Sequence, residues 1–280
     1  MKKEINVFVM MLTVLLSFGL LVTGCDTGGG GGSSEPVNVN MALPVINSVA
    51  DFEGDFVSDK EEAWALTGDA LKVIMEWLED ITDEAEGGFS ISSAVPNIAR
   101  MVYSEPFSDT FINQEIADGV RATGYVQGYY KVSMANEGYQ SKGDYFETLM
   151  KIKFAFDFDD AVQGGVTIHA GKFTVSESMY YKEQITLVDP YKADYTNKIN
   201  VSEGYAMSLS KGGKGLKCVI TLSATLDHSI PNATDEEYYN AFENTGFNSF
   251  LFKVDIYDND NVLKFTQTFS EEEAESYFGL

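Results

Sequence analysis

The sequence predicts an α+β protein in which a long N-terminal helix packs on an antiparallel β-sheet. Three observations predict this fold: a helical apolar stripe over residues 63–81, an alternation of apolar and polar residues from about residue 119, and short turn segments between the alternating runs. The chain has 280 residues, of which 44% are apolar, enough for one sizeable core. We expect a single β-rich domain over residues 41–280, its sheet closed like a barrel or open like a half-barrel.

The long helix is predicted near residues 59–84. Ser58 and Glu61 have the spacing of a capping box, which satisfies backbone amides that a helix start leaves unpaired. Glycines 87–88 are expected to end the helix. The apolar stripe recurs at spacings of three and four and consists of Ala63, Leu66, Ala70, Val73, Ile74, Trp77, Leu78 and Ile81.

Strands are predicted wherever apolar residues keep one parity, as they do from Phe146 to Phe158. The short turns between these runs favour antiparallel neighbours. Gly171 interrupts the parity, which indicates a bulge or a tight turn. The other alternating runs cover 120–134, 199–209, 216–226 and 250–256, and the turn segments cover 159–165, 211–215 and 258–261.

Two short helices are predicted near the C-terminus. Thr234 with Glu237 and Ser270 with Glu273 repeat the capping-box spacing. In the first alternating run the apolar parity includes the small residues Ala122, Gly124 and Gly128, which predict close approach of a helix to that strand, with room inside a curved sheet as the alternative.

The N-terminus has the pattern of a secretion signal. Two lysines precede an apolar run over residues 7–22, which is shorter than the ~20 residues that a membrane-spanning helix needs. The run ends on Leu21-Val22-Thr23-Gly24-Cys25, which resembles the lipobox of bacterial lipoproteins. The resemblance implies a signal peptide over 1–24, cleavage before Cys25, and acylation of the Cys25 sulfur as the lipid attachment site.

The segment over residues 25–40 is predicted to be a flexible tether. It contains five consecutive glycines followed by two serines, a composition that behaves as a random coil. The lipoprotein resemblance implies a membrane partner through the lipid anchor and a place in the bacterial cell envelope. Asp26 resembles the inner-membrane retention signal of enteric bacteria, a rule that does not extend to all bacteria. The sequence therefore leaves the inner membrane and the outer membrane or cell surface both open.

The charge balance excludes one class of partner. Nineteen Lys and Arg against 43 Asp and Glu give a net charge of −24, which repels phosphate backbones. Nucleic acid is therefore not expected as a partner. Anionic lipid headgroups are repelled too, so the domain is expected to stand off the bilayer.

The chain lacks recognisable catalytic and cofactor motifs, and we predict no catalytic residues and no cofactor. His169 and His228, the only histidines, are predicted to lie on the surface. Cys218 shares the apolar parity of its strand and is predicted to be an unreactive core thiol.

Two charged segments are interpreted as ordinary turns. Lys211, Lys214 and Lys217 flank Gly212-Gly213 and are predicted to form a solubilising turn, with anion binding by the glycine amides as the alternative. The cluster Asp255, Asp258, Asn259, Asp260 and Asn261 lacks the spacing of a calcium loop and predicts a hairpin turn, so no metal site is expected.

The long helix carries a row of acidic residues opposite its apolar stripe. These residues predict a face exposed to solvent and are Glu76, Glu79, Asp80 and Asp83.

Two kinds of binding function are compatible with these features, and the ligand-binding residues remain unknown. A curved sheet under a helix predicts a non-catalytic module for a hydrophobic ligand, as in several envelope lipoproteins of similar outline. The alternative is a surface interaction or assembly protein that uses the exposed Tyr125, Tyr129 and Tyr257 as a patch, which a filled core would favour. A hydrolase without a recognisable motif is the third hypothesis.

Overall fold

A computed structural model describes residues 37–83, 101–135 and 141–278. The α+β prediction is confirmed: most of the described chain is antiparallel sheet, with a few helices. Glycines 87–88, expected to end the long helix, lie outside the described residues. The elements are a 3₁₀ turn at Ile46–Ser48, β1 Asp55–Phe56, α1 Lys60–Asp83, β2 Met101–Ala117, β3 Val120–Met134, β4 Tyr145–Gln163, β5 Val166–Leu187, β6 Lys192–Lys211, β7 Lys214–Ala233, α2 Asp235–Glu243, β8 Ser249–Tyr257, β9 Leu263–Phe269 and α3 Glu271–Phe278.

The sheet is an open meander. Strands β2 to β9 lie in chain order, each antiparallel to the next, and β1 pairs in parallel with the start of β7. Among the described strands β2 and β9 form the two edges, so the sheet has the half-barrel form. The sequence does not predict β2, because polar residues and Pro106 obscure its alternation. Proline is tolerated there because β2 is an edge strand.

Glycine turns set the pairing of the central strands. Gly164-Gly165 joins β4 to β5 and Gly212-Gly213 joins β6 to β7, each pair with φ of +59° and +78°. Two successive residues with positive φ form the type I′ turn, whose twist matches that of antiparallel strands. The predicted turns are therefore confirmed, and each fixes the register of the two strands that it joins.

The sheet has an inner face, which α1 covers, and an outer face. One row across the inner face contains Phe156, Phe173, Tyr205, Ile220 and Val254 on five neighbouring strands, all buried. The ring centroids of the first two lie 5.4 Å apart, and those of the second and third 4.4 Å apart. Burial of such side chains contributes roughly 1.5–3 kcal/mol each, which makes this row a centre of the core.

Helix α1 crosses one end of the inner face. The Trp64 ring contacts Phe265 and Phe269 of β9, while Trp77 contacts Phe158 of β4. The stripe is confirmed over its described part, because Ala63, Leu66, Ala70, Val73, Ile74 and Trp77 are all buried. Side chains of α1 and of the sheet thus occupy the space between them.

The start of α1 differs from the prediction by one residue. The Asp59 carboxylate, rather than the Ser58 hydroxyl, accepts hydrogen bonds from the backbone amides of Glu61 and Glu62, both at 3.0 Å. Aspartate at this position also interacts favourably with the positive end of the helix dipole. The two later capping boxes, at the starts of α2 and α3, are confirmed.

Gly124 of β3 accommodates an aromatic ring of the neighbouring strand, which fits the alternative of room inside a curved sheet. A Cβ atom on Gly124 would lie 2.2 Å from Cδ1 of Phe154, its direct partner on β4. The predicted irregularity near Gly171 is confirmed as a register shift between Ile168 and Ala170. A Cβ on Gly171 would lie 2.5 Å from Cβ of Met207.

Residues 37–54 form a strap across one end of the outer face. Leu43 packs so closely on Gly204 that a Cβ atom added to this glycine would lie 2.9 Å from Leu43 Cδ1. The Phe52 ring lies against Gly215 in the same way. Beneath the strap, the Lys217 ammonium is 1% exposed and contacts Asp51 Oδ1 at 2.8 Å, the carbonyl of Val49 at 3.0 Å and Asn261 Oδ1 at 3.0 Å. Lys217 is therefore a structural cation that fastens the strap, not part of a solubilising turn as predicted.

We predict that Lys217→Met destabilises the fold by roughly 1.5–3 kcal/mol, because oxygen atoms facing a buried ammonium lose a charged hydrogen-bond donor. Urea unfolding followed by the fluorescence of Trp64 and Trp77 would measure this loss. Lys214→Met is the matched control, since Lys214 is exposed on the adjacent turn. Equal unfolding midpoints for the two variants would contradict the role of Lys217.

Candidate binding surface

The outer face carries an exposed polar block beyond the strap. Twenty residues in four rows across β2–β6 form it, and none of them is buried. We call this block the outer polar face. Its rows are Thr110, Tyr125, Lys153, Ser176 and Ser202; Ser108, Gln127, Lys151, Ser178 and Asn200; Pro106, Tyr129, Leu149, Tyr180 and Lys198; and Ser104, Lys131, Glu147, Lys182 and Thr196.

The charge of the outer polar face is opposite to that of the protein. Of the 19 basic and 43 acidic residues in the chain, the face contains Lys131, Lys151, Lys153, Lys182 and Lys198 but a single acid, Glu147. Exposed charges separated by more than about 10 Å are screened at physiological salt, so a nearby partner meets mainly the local cations. The face can therefore attract an anionic group although the whole molecule is acidic.

Some cations of the face are already engaged within the sheet. The ammonium groups of Lys131 and Lys182 lie 5.6 and 5.2 Å from the ring centre of Tyr145, and Lys198 pairs with Asp227 at 2.8 Å. In contrast, Lys151 and Lys153 have no carboxylate partner among the described residues. These two lysines are the ones that remain available to a bound anion.

A groove lies within the face, next to these free lysines. Its volume is about 240 Å³, and its lining includes Ser176, Ser178, Asn200 and Ser202 from β5 and β6. These four residues have short side chains and form a two-by-two block on neighbouring strands. They therefore leave a depression between the longer side chains around them. Tyr125 and Lys151 also line the groove and bring it an aromatic ring and an ammonium group.

The predicted tyrosine patch is assembled in part. Tyr125 and Tyr129 share the outer polar face, but Tyr257 lies at the end of β8, opposite the covered Lys217. Tyr180, which the patch prediction omits, is in the same row as Tyr129. The Tyr129 hydroxyl donates to Glu147 Oε1 at 2.7 Å, which raises the pKa of Tyr129 to about 12.

The inner face contains a buried acid that sequence parity does not single out. Glu203 is 5% exposed, and its Oε2 atom accepts a hydrogen bond from the Tyr205 hydroxyl at 2.7 Å. Its Oε1 atom has no hydrogen-bond partner among the described residues. Burial raises the pKa of Glu203 to about 7, which places its titration near neutral pH.

The far end of the inner face is closed by phenols and carboxylates under α2. Tyr195 donates to the Asp235 carboxylate and stacks on Tyr238, with ring centroids 4.4 Å apart. Tyr191 donates to the Glu183 carboxylate. Burial is the largest cause of a raised pKa for both Tyr191 and Tyr195, so these phenols stay protonated hydrogen-bond donors. Tyr195 holds α2 on the sheet, and Tyr191 ties the β5–β6 turn to β5.

Both histidines are partly buried, so they are less exposed than the surface positions predicted for them. The His169 ring is 10% exposed and hydrogen-bonds Ser210 Oγ at 2.7 Å and Asp160 Oδ1 at 3.2 Å. His228 lies beneath α2 with Nδ1 3.0 Å from Thr245 Oγ1, and burial lowers its pKa. The strap, which is remote in sequence, covers His169, and α2, which begins seven residues after His228, covers the second ring.

The remaining predicted residues have structural roles. Cys218 is fully buried, and burial raises the pKa of its thiol, as expected of a core cysteine. Asp258 accepts from the Val262 amide at 2.9 Å and pairs with Lys264 at 2.6 Å, which confirms a hairpin turn. Lys211 pairs with Asp69 of α1. Within the described ranges, His, Cys, Asp and Glu side chains form no group of three that could hold a metal ion.

The predicted lipid attachment site, Cys25, lies outside the described residues. In the described parts of the chain, no helix combines the length and the apolar character needed to cross a membrane. No known protein family matches the chain, and comparisons with curated proteins and with solved structures find no match.

We predict that Glu203→Gln stabilises the protein at pH 8 by a few kcal/mol and has a smaller effect at pH 5. The folded-state pKa of about 7 is above the ordinary 4.5, so the contribution of Glu203 to stability is full below pH 4.5 and is lost as the pH rises through 7. The amide stays neutral and removes this loss.

Urea unfolding of wild type and variant at the two pH values would measure the difference. Glu272→Gln, at an exposed position of α3, is the control and should change neither value. A stability gap independent of pH would contradict the assignment.

Proposed function

We propose that this protein is a lipid-anchored, non-catalytic binding protein of the bacterial cell envelope that engages an anionic partner through its outer polar face. The observation that carries the proposal is the grouping of five lysines and one acid on a block of the sheet that contains no buried residue, in a chain of net charge −24. An acidic molecule gains no solubility from such a grouping, whereas a binding surface gains electrostatic complementarity.

In the part of the chain that the structure describes, the packing beneath α1 supports surface binding over a hydrophobic carrier. Trp64 and Trp77 are 1% and 5% exposed, and their rings contact aromatic side chains of the sheet directly. A carrier for a drug-sized ligand needs ~300 Å³ or more of concave apolar space. Beneath α1 that space is occupied by the protein's own side chains.

The anchor and the binding surface suit each other. The described chain begins with the strap, whose Leu43 lies on the row next to Ser176 and Ser202. Of the predicted tether over residues 25–40, the part that precedes the strap, residues 25–36, would span roughly 20 Å as a random coil. A lipid on Cys25 would therefore keep the domain within reach of the membrane surface while leaving it free to stand off the bilayer and to turn.

Cys25→Ala tests the anchor. We expect labelled palmitate to be incorporated into wild type and not into the variant, because acylation needs the sulfur atom. The variant should also leave the membrane fraction, since acyl chains contribute ~0.8 kcal/mol per buried CH₂ to membrane binding. Labelling that survives the substitution would exclude Cys25 as the attachment site.

Charge reversal tests the binding surface. We expect the purified full chain, in neutral detergent at pH 7 and physiological salt, to bind a sulfopropyl cation exchanger despite its net charge, because distant acids are screened under these conditions. Lys151→Glu combined with Lys153→Glu should elute in the flow-through. The control, Lys72→Glu with Lys214→Glu, makes the same charge change at exposed positions outside the face and should be retained like wild type. Wild type in the flow-through would remove the electrostatic basis of the proposal.

A further inference from the structure

We infer that the groove of the outer polar face binds one unit of an anionic polysaccharide, a sugar polymer that carries carboxylate or phosphate groups. This inference rests on the proposed function, because it names the chemical class of the anionic partner. The lining of this depression includes Tyr125, Lys151, Ser176, Ser178, Asn200 and Ser202. Ile152 and Glu177 also line it, but both are buried and share the parity of the inner face.

The size of the groove fits part of a polymer. Sites that enclose a whole small ligand measure roughly 300–1,000 Å³, whereas this groove measures about 240 Å³. It lies in the first two of the four rows, beside the strap, so a chain that enters the groove with one unit can continue over the two remaining rows. Rows are spaced roughly 7 Å apart along each strand.

The groups that line the groove match sugar hydroxyls. Ser176, Ser178 and Ser202 each offer a hydroxyl that both donates and accepts, and the Asn200 amide does the same with two different atoms. Tyr125 adds an apolar ring with a polar tip at the edge of the groove. A sugar unit presents the same alternation of hydroxyl groups and apolar ring surface.

The cations require that the polymer be anionic. Lys151 lines the groove, and Lys153 follows on the same face of β4, in the row of Ser176. Neither lysine has a carboxylate partner among the described residues. An apolar partner would cover both ammonium groups without pairing them. It would also find few apolar contacts, because Leu149 and Pro106 are the only aliphatic side chains of the face.

The test measures binding of the purified full chain, in neutral detergent, to immobilised polygalacturonate. Polyglutamate, single-stranded poly(dT) and neutral dextran serve as comparison polymers. We expect polygalacturonate to bind at least tenfold more tightly than each of the other three. The Lys151→Glu, Lys153→Glu double variant should weaken this binding at least tenfold.

Ser178→Tyr fills the groove without changing the charge and should also weaken binding at least tenfold. The matched control is Thr268→Tyr, at an exposed position of β9, and should bind like wild type. Circular dichroism and thermal melting verify that each variant is folded.

Three results would overturn the inference: no binding of polygalacturonate by wild type, equal or tighter binding of polyglutamate or poly(dT), or wild-type binding by Ser178→Tyr. The first two leave the proposed function standing if the cation exchanger retains the protein. Failure of that retention counts against the proposed function itself.

Discussion

The hydrogen-bonded register of the meander is the constraint on which the other features depend. Side chains alternate between the two faces with a period of two, so a slip of one residue between β4 and β5 would expose Phe156 or Phe173 and bury Lys153 or Ser176. Taking an unpaired ammonium group out of water costs several kcal/mol. The same pairing therefore builds the core on one face and assembles the lysines and serines of the outer polar face on the other.

The strap covers one end of the outer face and leaves the outer polar face in contact with water, and this uncovered part is the candidate site. Lys217 lies under the strap, where three oxygen atoms contact its ammonium group. Lys151 and Lys153 point from the same side of the sheet but remain in contact with water, so they are stable without such partners. Lysines on the same side of the sheet therefore have two different roles: Lys217 is a structural cation, and Lys151 and Lys153 are available for binding.

The contrast between net charge and local charge bears on selectivity. The chain as a whole repels polyanions at a distance, and within roughly 10 Å the lysines of the outer polar face dominate. A partner that binds must supply close, well-placed contacts to offset the general repulsion. Short hydroxyl and amide side chains in the groove provide positions for such contacts.

The sequence by itself determined the local features: the alternation of β3 to β8, the type I′ turn at Gly212-Gly213, the stripe of α1 and the capping boxes of α2 and α3. Each depends on residues a few positions apart, whose preferences act before the chain folds. Tertiary structure alone decided which residues meet across strands: Phe154 over Gly124, the strap over Lys217, and Lys151 beside Ser178 and Asn200. These contacts join segments about 20 to 170 residues apart, and pairing over such separations depends on the whole sheet.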